Sequence, residues 1–144
     1  EDVFWTYKII ANCEKLVHVD MPLYLYFQRS DSIMGETYSV KRLDAVEAKA
    51  ERVYFIAEKF PELCDVAKKD LLFTCIYHGQ LVLTHFYGDE RRDSLKYLKE
   101  NYKKYYFSGE YKRKLSKKQR FWLMAARISL AGVCRLRNIL GIGF

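Results

Sequence analysis

Proline is scarce in this chain, two in 144 residues, and glycine is limited to seven. That excludes collagen-like and proline-rich linker sequences and leaves room for long uninterrupted elements. No two of Cys13, Cys64, Cys75 and Cys134 form a CxxC pair, and the three histidines are scattered. A zinc knuckle is therefore not expected, and the reading is four free thiols in a reducing compartment, each a small buried hydrophobe. His78 and His85 share a helix face, but no third ligand accompanies them, so they read as core or surface residues. No run of about eighteen apolar residues is free of charge, so no spanning helix is expected, and no signal peptide opens the chain. Repeats and low-complexity linkers are absent too.

What is present suits one domain with a real core. Half of the residues are hydrophobic, with twelve Tyr and nine Phe, which is not a disordered composition. Charge is unevenly distributed. Residues 1–90 hold 10 Lys/Arg and 15 Asp/Glu, whereas residues 91–144 hold 15 Lys/Arg and 3 Asp/Glu. The basic end calls for an acidic partner: phospholipid, nucleic acid or another polyanion.

The pattern predicts a mainly α fold with a short α/β start. A helix is expected over 2–12, with Asp2 as its cap, and strands at about 15–19 and 23–28. Val3, Phe4, Trp5, Tyr7, Ile9 and Ile10 surround that helix, so it should be buried on several sides. Nothing earlier in the chain covers it, and the first residue is not Met; the expectation is that an upstream domain precedes Glu1. About four helices follow. In the first, Leu43, Val46, Ala50, Val53, Ala57 and Phe60 form a packing seam, Ser39 or Thr37 caps the start, and Pro61 ends it or opens the next helix. The second spans about 62–87, with Val66, Leu72, Ile76, Leu83 and Phe86 apolar and Gly88 as its stop. The third begins near Asp89, turns Leu95, Leu98 and Tyr102 inward, and breaks at Ser108-Gly109. The last runs from about 116 to 140. The expected units are 1–35 and a helical extension over 36–144, with a basic tail at about 110–140.

Residues 1–34 read "EDVFWTYKIIANCEKLVHVDMPLYLYFQRSDSIM". An acidic pair opens a helix; a strand, a "PLYxY" strand, an Arg and an "SIM" follow. This tract resembles the closing segment of the catalytic domain in family 2 glycosyltransferases, the inverting GT-A type common in bacteria. It covers about a quarter of the chain; the helical remainder carries no motif. The resemblance implies a parent enzyme that moves a sugar from a nucleotide-sugar to a hydroxyl of a cell-surface glycan or lipid-linked saccharide, with inversion. Such a reaction needs a general base for the acceptor hydroxyl and cationic groups for the leaving diphosphate. Asp2 then matches the base, Glu1 its acceptor-contacting or structural neighbour, and Arg29 the donor-diphosphate contact, where a planar fork suits phosphate. Tyr26 and Ser32 match structural landmarks. Phe27 and Asp31 depart from the pattern, where the family often has Arg and Gly. No DxD and no QxxRW occurs. The resemblance thus implies single-sugar transfer and a divalent cation, Mg or Mn, held upstream in the parent. It implies no cofactor and no independent activity for these 144 residues.

On one continuous helix, Arg113, Lys117, Arg120, Arg127 and Arg135 fall within about 80° of each other. Leu115, Trp122, Ala126, Val133, Leu136 and Leu140 lie opposite. Two readings of this tail stand side by side. It rests on an anionic membrane with Trp122 on the lipid side, placing the parent in the cytoplasm or on the inner face of the membrane. Otherwise its apolar face docks on the preceding helices and its cations are solvated. Two competing readings remain for the chain. One is a nucleic-acid-binding helical domain, which lacks a recognisable motif and leaves residues 1–34 unexplained. The other is an oligomerisation bundle, such as a homodimer, built on the seam at 43–60.

Overall fold

The computed structural model describes residues 2–25, 27, 37–106 and 115–143. Six α-helices form among them: α1 (Asp2–Ala11), α2 (Asp44–Lys59), α3 (Cys64–His85), α4 (Gly88–Tyr105), α5 (Lys117–Ile128) and α6 (Leu130–Ile139). Short 3-10 turns, Val40–Leu43 and Pro61–Leu63, lead into α2 and α3. The chain is mainly helical, as its composition and periodicity lead one to expect.

α3 is the axis of the bundle, with α2, α4 and α6 packed around it. Its buried residues include Leu71, Leu72, Cys75, Ile76, Gly79 and Val82. Together with the buried Ala67, Thr74, His78 and Gln80 they cover roughly 240° of the helix at 100° per residue, as required when three neighbours enclose it. Each fully buried Leu or Ile contributes about 1.5–3 kcal/mol relative to exposure. The seam of α2 faces this axis through Leu43, Val46 and Val53, all buried, but Ala57 is exposed and Ile56 turns toward the core instead. The seam is thus filled from within the chain.

Several local expectations are corrected. Val66 is exposed, because it lies on the open face of α3 with Tyr77 and Thr84, away from its buried neighbour Ala67. α3 ends at His85, ahead of Gly88, which adopts φ +54° and starts α4. Ser39 sits at the cap position, but its side chain makes no capping bond. Pro61, by contrast, takes the second of its two expected roles and opens the turn into α3. Cys75 and Cys134 are buried while Cys13 lies exposed on the exit from α1. The break expected at Ser108-Gly109 lies outside the described residues.

The final helix is two helices. Ser116 starts α5 with a reciprocal capping box: the Gln119 amide donates to Ser116 Oγ (3.2 Å), and the Ser116 amide donates to Gln119 Oε1 (3.1 Å). Ser129 then leaves helical geometry (φ −145°, ψ 97°), and its Oγ accepts from the Gly132 amide at 3.1 Å. A serine that can satisfy a free amide makes restarting a helix inexpensive. Tyr102 donates its hydroxyl to the Leu123 carbonyl at 2.7 Å, joining α4 to α5. On α6, the buried Arg137 donates Nε–H to Gln80 Oε1 at 3.0 Å. Gln80 in turn donates to Asn138 Oδ1 and the Ile142 carbonyl, both at 2.9 Å. Gly141 (φ +63°) closes α6, with the Ile142 amide on the Arg137 carbonyl and the Gly141 amide on that of Asn138. This Schellman closure explains a glycine at that position.

The α/β start is not seen among the described residues. Residues 15–20 and 22–25 have no regular secondary structure. A strand needs a neighbour to complete its ladder, and a short pair without a sheet or helix against it is marginal in water. α1 forms over the expected range, yet none of its ten residues is buried.

Candidate functional site

Two regions carry the residues that sequence chemistry singles out. The first is the N-terminal apron, α1 and the segment after it. α1 lies along α2. Tyr7 meets Phe55 edge-on at 5.1 Å, and Lys8 pairs with Glu51. Lys8 also lies over the Trp5 ring, 4.9 Å from its centre. These contacts hold one side of the helix. Val3, Trp5, Ile9 and Ile10 face outward, Trp5 being 61% exposed. Beyond α1, Leu16, Val17, Leu23, Tyr24, Leu25 and Phe27 are all exposed, Leu25 at 89% and Phe27 at 84%. Isolated apolar residues on a surface are ordinary, whereas a run of this kind is not.

Asp2 stands exposed in the first turn of α1, where the helix N-terminus favours a carboxylate. Its main-chain carbonyl accepts from Thr6 Oγ1 at 2.7 Å. Glu1, Tyr26, Arg29 and Ser32 lie outside the described residues. Among the described residues no group of three or more His, Cys, Asp or Glu is placed to hold a metal ion.

The second region is the basic tail. Leu115, Trp122, Ala126 and Val133 are buried, as one side of an amphipathic pattern should be, but Leu136 and Leu140 are exposed. The bend at Ser129 is the reason: the helix restarts there in a new phase, and α6 packs through Leu130, Val133, Cys134 and Arg137. Trp122, which the membrane reading puts on the lipid side and the docked reading puts inside, is 6% exposed, and Arg137 lies over its ring at 5.2 Å. It belongs to the packed interior. Lys117, Arg120 and Arg127 come together on the exposed side of α5, and Arg135 is exposed on α6. Arg127 stacks over the Tyr106 ring at 5.1 Å. Arg113 lies outside the described residues. Among the described residues, no helix is long and apolar enough to cross a membrane.

Some polar residues were not foreseen. Tyr38 is buried, shares a 2.7 Å hydrogen bond with His78 Nδ1, and stacks on His85 at 5.6 Å. Burial is the main cause that lowers His78 to about 4, helped by the charges of Lys49 and Arg42. Burial likewise raises Tyr38. This pair is forty residues apart, and no local spacing announces it. The exposed triplet Phe121, Met124 and Ile128 was not foreseen either, although its 3-4 spacing is legible: α5 carries a second apolar side, Trp122, Leu123 and Ala126, and that one is buried.

No family model matches this chain, and neither a characterised protein nor a solved structure matches it.

Proposed function

We propose that this chain is the C-terminal part of an inverting family 2 glycosyltransferase of GT-A type. In this reading, α1 and residues 15–27 complete the acceptor side of the catalytic domain. The observation that carries the reading is the uncovered apolar apron that begins at Asp2. Its aromatic and aliphatic residues would gain roughly 25 cal/mol per Å² of apolar surface covered. A GT-A domain would supply that cover. There the segments at 15–19 and 23–28 would join a sheet as the α/β element read from the sequence.

In the assembled parent, Asp2 accepts the proton of the acceptor hydroxyl as that oxygen attacks the anomeric carbon and the nucleoside diphosphate departs. An exposed carboxylate at a helix start is available to an incoming hydroxyl. Glu1 contacts the acceptor or supports the turn, and Arg29 binds the departing diphosphate. The donor is a nucleotide-sugar and the acceptor a saccharide; the 144 residues alone do not turn over.

The test starts from the reading frame upstream of the Glu1 codon. It should continue through alternating strands and helices that include a DxD. In that full-length parent, Asp2→Asn should lower the transfer rate by about 10²–10⁴-fold and leave nucleotide-sugar binding intact. A start codon directly before Glu1, or an Asp2→Asn parent with undiminished transfer, overturns the proposal.

A further inference from the structure

We propose that the outward face of α5 is a docking surface for an anionic phospholipid bilayer, entered by Phe121, Met124 and Ile128. These residues recur at i, i+3 and i+7 and so form one stripe. All three are exposed, Ile128 at 87%. On the opposite side of the same helix, Trp122, Leu123 and Ala126 are buried. α5 therefore has an inner apolar side that holds it to the bundle and an outer apolar stripe that, with Tyr106, lines an open groove.

The charges beside the stripe identify its occupant. Lys117, Lys118, Arg120 and Arg127 are exposed on the same helix. Residues 115–143 contain six Lys/Arg and no Asp or Glu. An apolar stripe bordered by cations suits a surface that is apolar in depth and anionic at its rim, which is the interfacial region of a charged bilayer. A second copy seated face to face would set like charges against each other. A nucleic-acid strand would use the cations but not the aliphatic Met124 and Ile128, which offer no ring for bases to stack on. α5 lies flat rather than spanning, since its 12 residues fall well short of a bilayer crossing. The surface differs from the one read along a continuous helix: the lipid-facing residues are Phe121, Met124 and Ile128, and Trp122 stays inside. It does not depend on the transferase reading, and its failure would leave the role of Asp2 untouched.

The experiment is co-sedimentation of the 144-residue chain with vesicles at low salt. One set is phosphatidylcholine alone; the other is phosphatidylcholine and phosphatidylglycerol in equal parts. Circular dichroism checks that each variant folds. The chain should pellet with the anionic vesicles and remain in solution beside the neutral ones. Arg120→Gln should weaken partitioning about fivefold, the effect of one cation near such a surface. Combined Phe121→Ser, Met124→Ser and Ile128→Ser should weaken it by at least about tenfold. Leu23→Ser with Leu25→Ser, on the apron, should leave it unchanged. The proposal is overturned by failure to bind anionic vesicles, or by binding that is lost through the apron pair and not through the α5 triplet. It is also overturned if the triplet variant binds vesicles and a single-stranded oligonucleotide as well as the parent chain does, which would mark a general polyanion site. A dimer in solution that the triplet variant dissolves would assign the face to a second copy.

Discussion

Replacing Gly79 by alanine should weaken the fold, against the ordinary rule for a helix interior. Gly79 lies within α3, and Gly→Ala at such a position usually gains about 1 kcal/mol. Here a methyl group would lie 2.6 Å from Cys134 Sγ, 3.8 Å from Cys134 Cβ and 3.9 Å from Leu98 Cδ1. Cys134 has no room to yield: it is fully buried on α6, and its thiol lies 3.4 Å from the Ile76 carbonyl. Overpacking of this kind costs about 1–3 kcal/mol, so the net loss should be about 1 kcal/mol or somewhat more. Cys134→Ala alone should also destabilise, because it leaves a small void. The two together should restore most of the loss, because the new methyl fills the space the sulfur vacated. The coupling should be about 1–2 kcal/mol, within the range for residues in contact. Urea unfolding followed by circular dichroism measures all four proteins, with equal slopes showing that midpoints report stability. If Gly79→Ala stabilises the chain, or shifts the midpoint equally with and without Cys134, the close approach of α3 and α6 is not as described.

Two further outcomes follow from the interior. His78 is neutral in the fold, and its folded value of about 4 lies below the ordinary 6.5. The unfolded chain therefore binds the proton first, and stability is lost as pH falls from about 6.5 toward 4. Between about pH 7 and pH 5 the loss from this residue should be about 2 kcal/mol, and His78→Gln should show correspondingly less change in urea midpoint; an equal pH response would refute the assignment. Tyr102→Phe removes the hydroxyl that meets the Leu123 carbonyl and should cost about 1 kcal/mol in the same assay; a neutral result would show that bond to be dispensable.

How much could be read in advance varies along the chain for physical reasons. α2 and α4 were legible because amphipathic periodicity is local: Leu43, Val46, Val53, Leu98 and Tyr102 are the residues that face the core. α3 was legible as a helix, but not as the one enclosed on three sides, since enclosure depends on where α2, α4 and α6 settle. The break at Ser129 was missed because serine is compatible with a helix interior, and only the side-chain bond to the Gly132 amide reveals a new start. That single bend moved Leu136 and Leu140 outward, while Trp122 had already turned inward. The apron was read as strands because its apolar alternation fits a sheet, and a strand exists only with a partner ladder.

Helical content, the positions of the main helices and the concentration of positive charge in the last third follow from the order of residues alone. These depend on propensity, spacing and composition, which neighbours along the chain settle. Tertiary structure alone decided that Tyr38 meets His78, that Arg137 is held by Gln80, that Gly79 admits Cys134, and which side of α5 faces out. Each of those joins residues about forty or more positions apart, or hangs on one backbone bend. Their energies exist only once the chain has closed on itself.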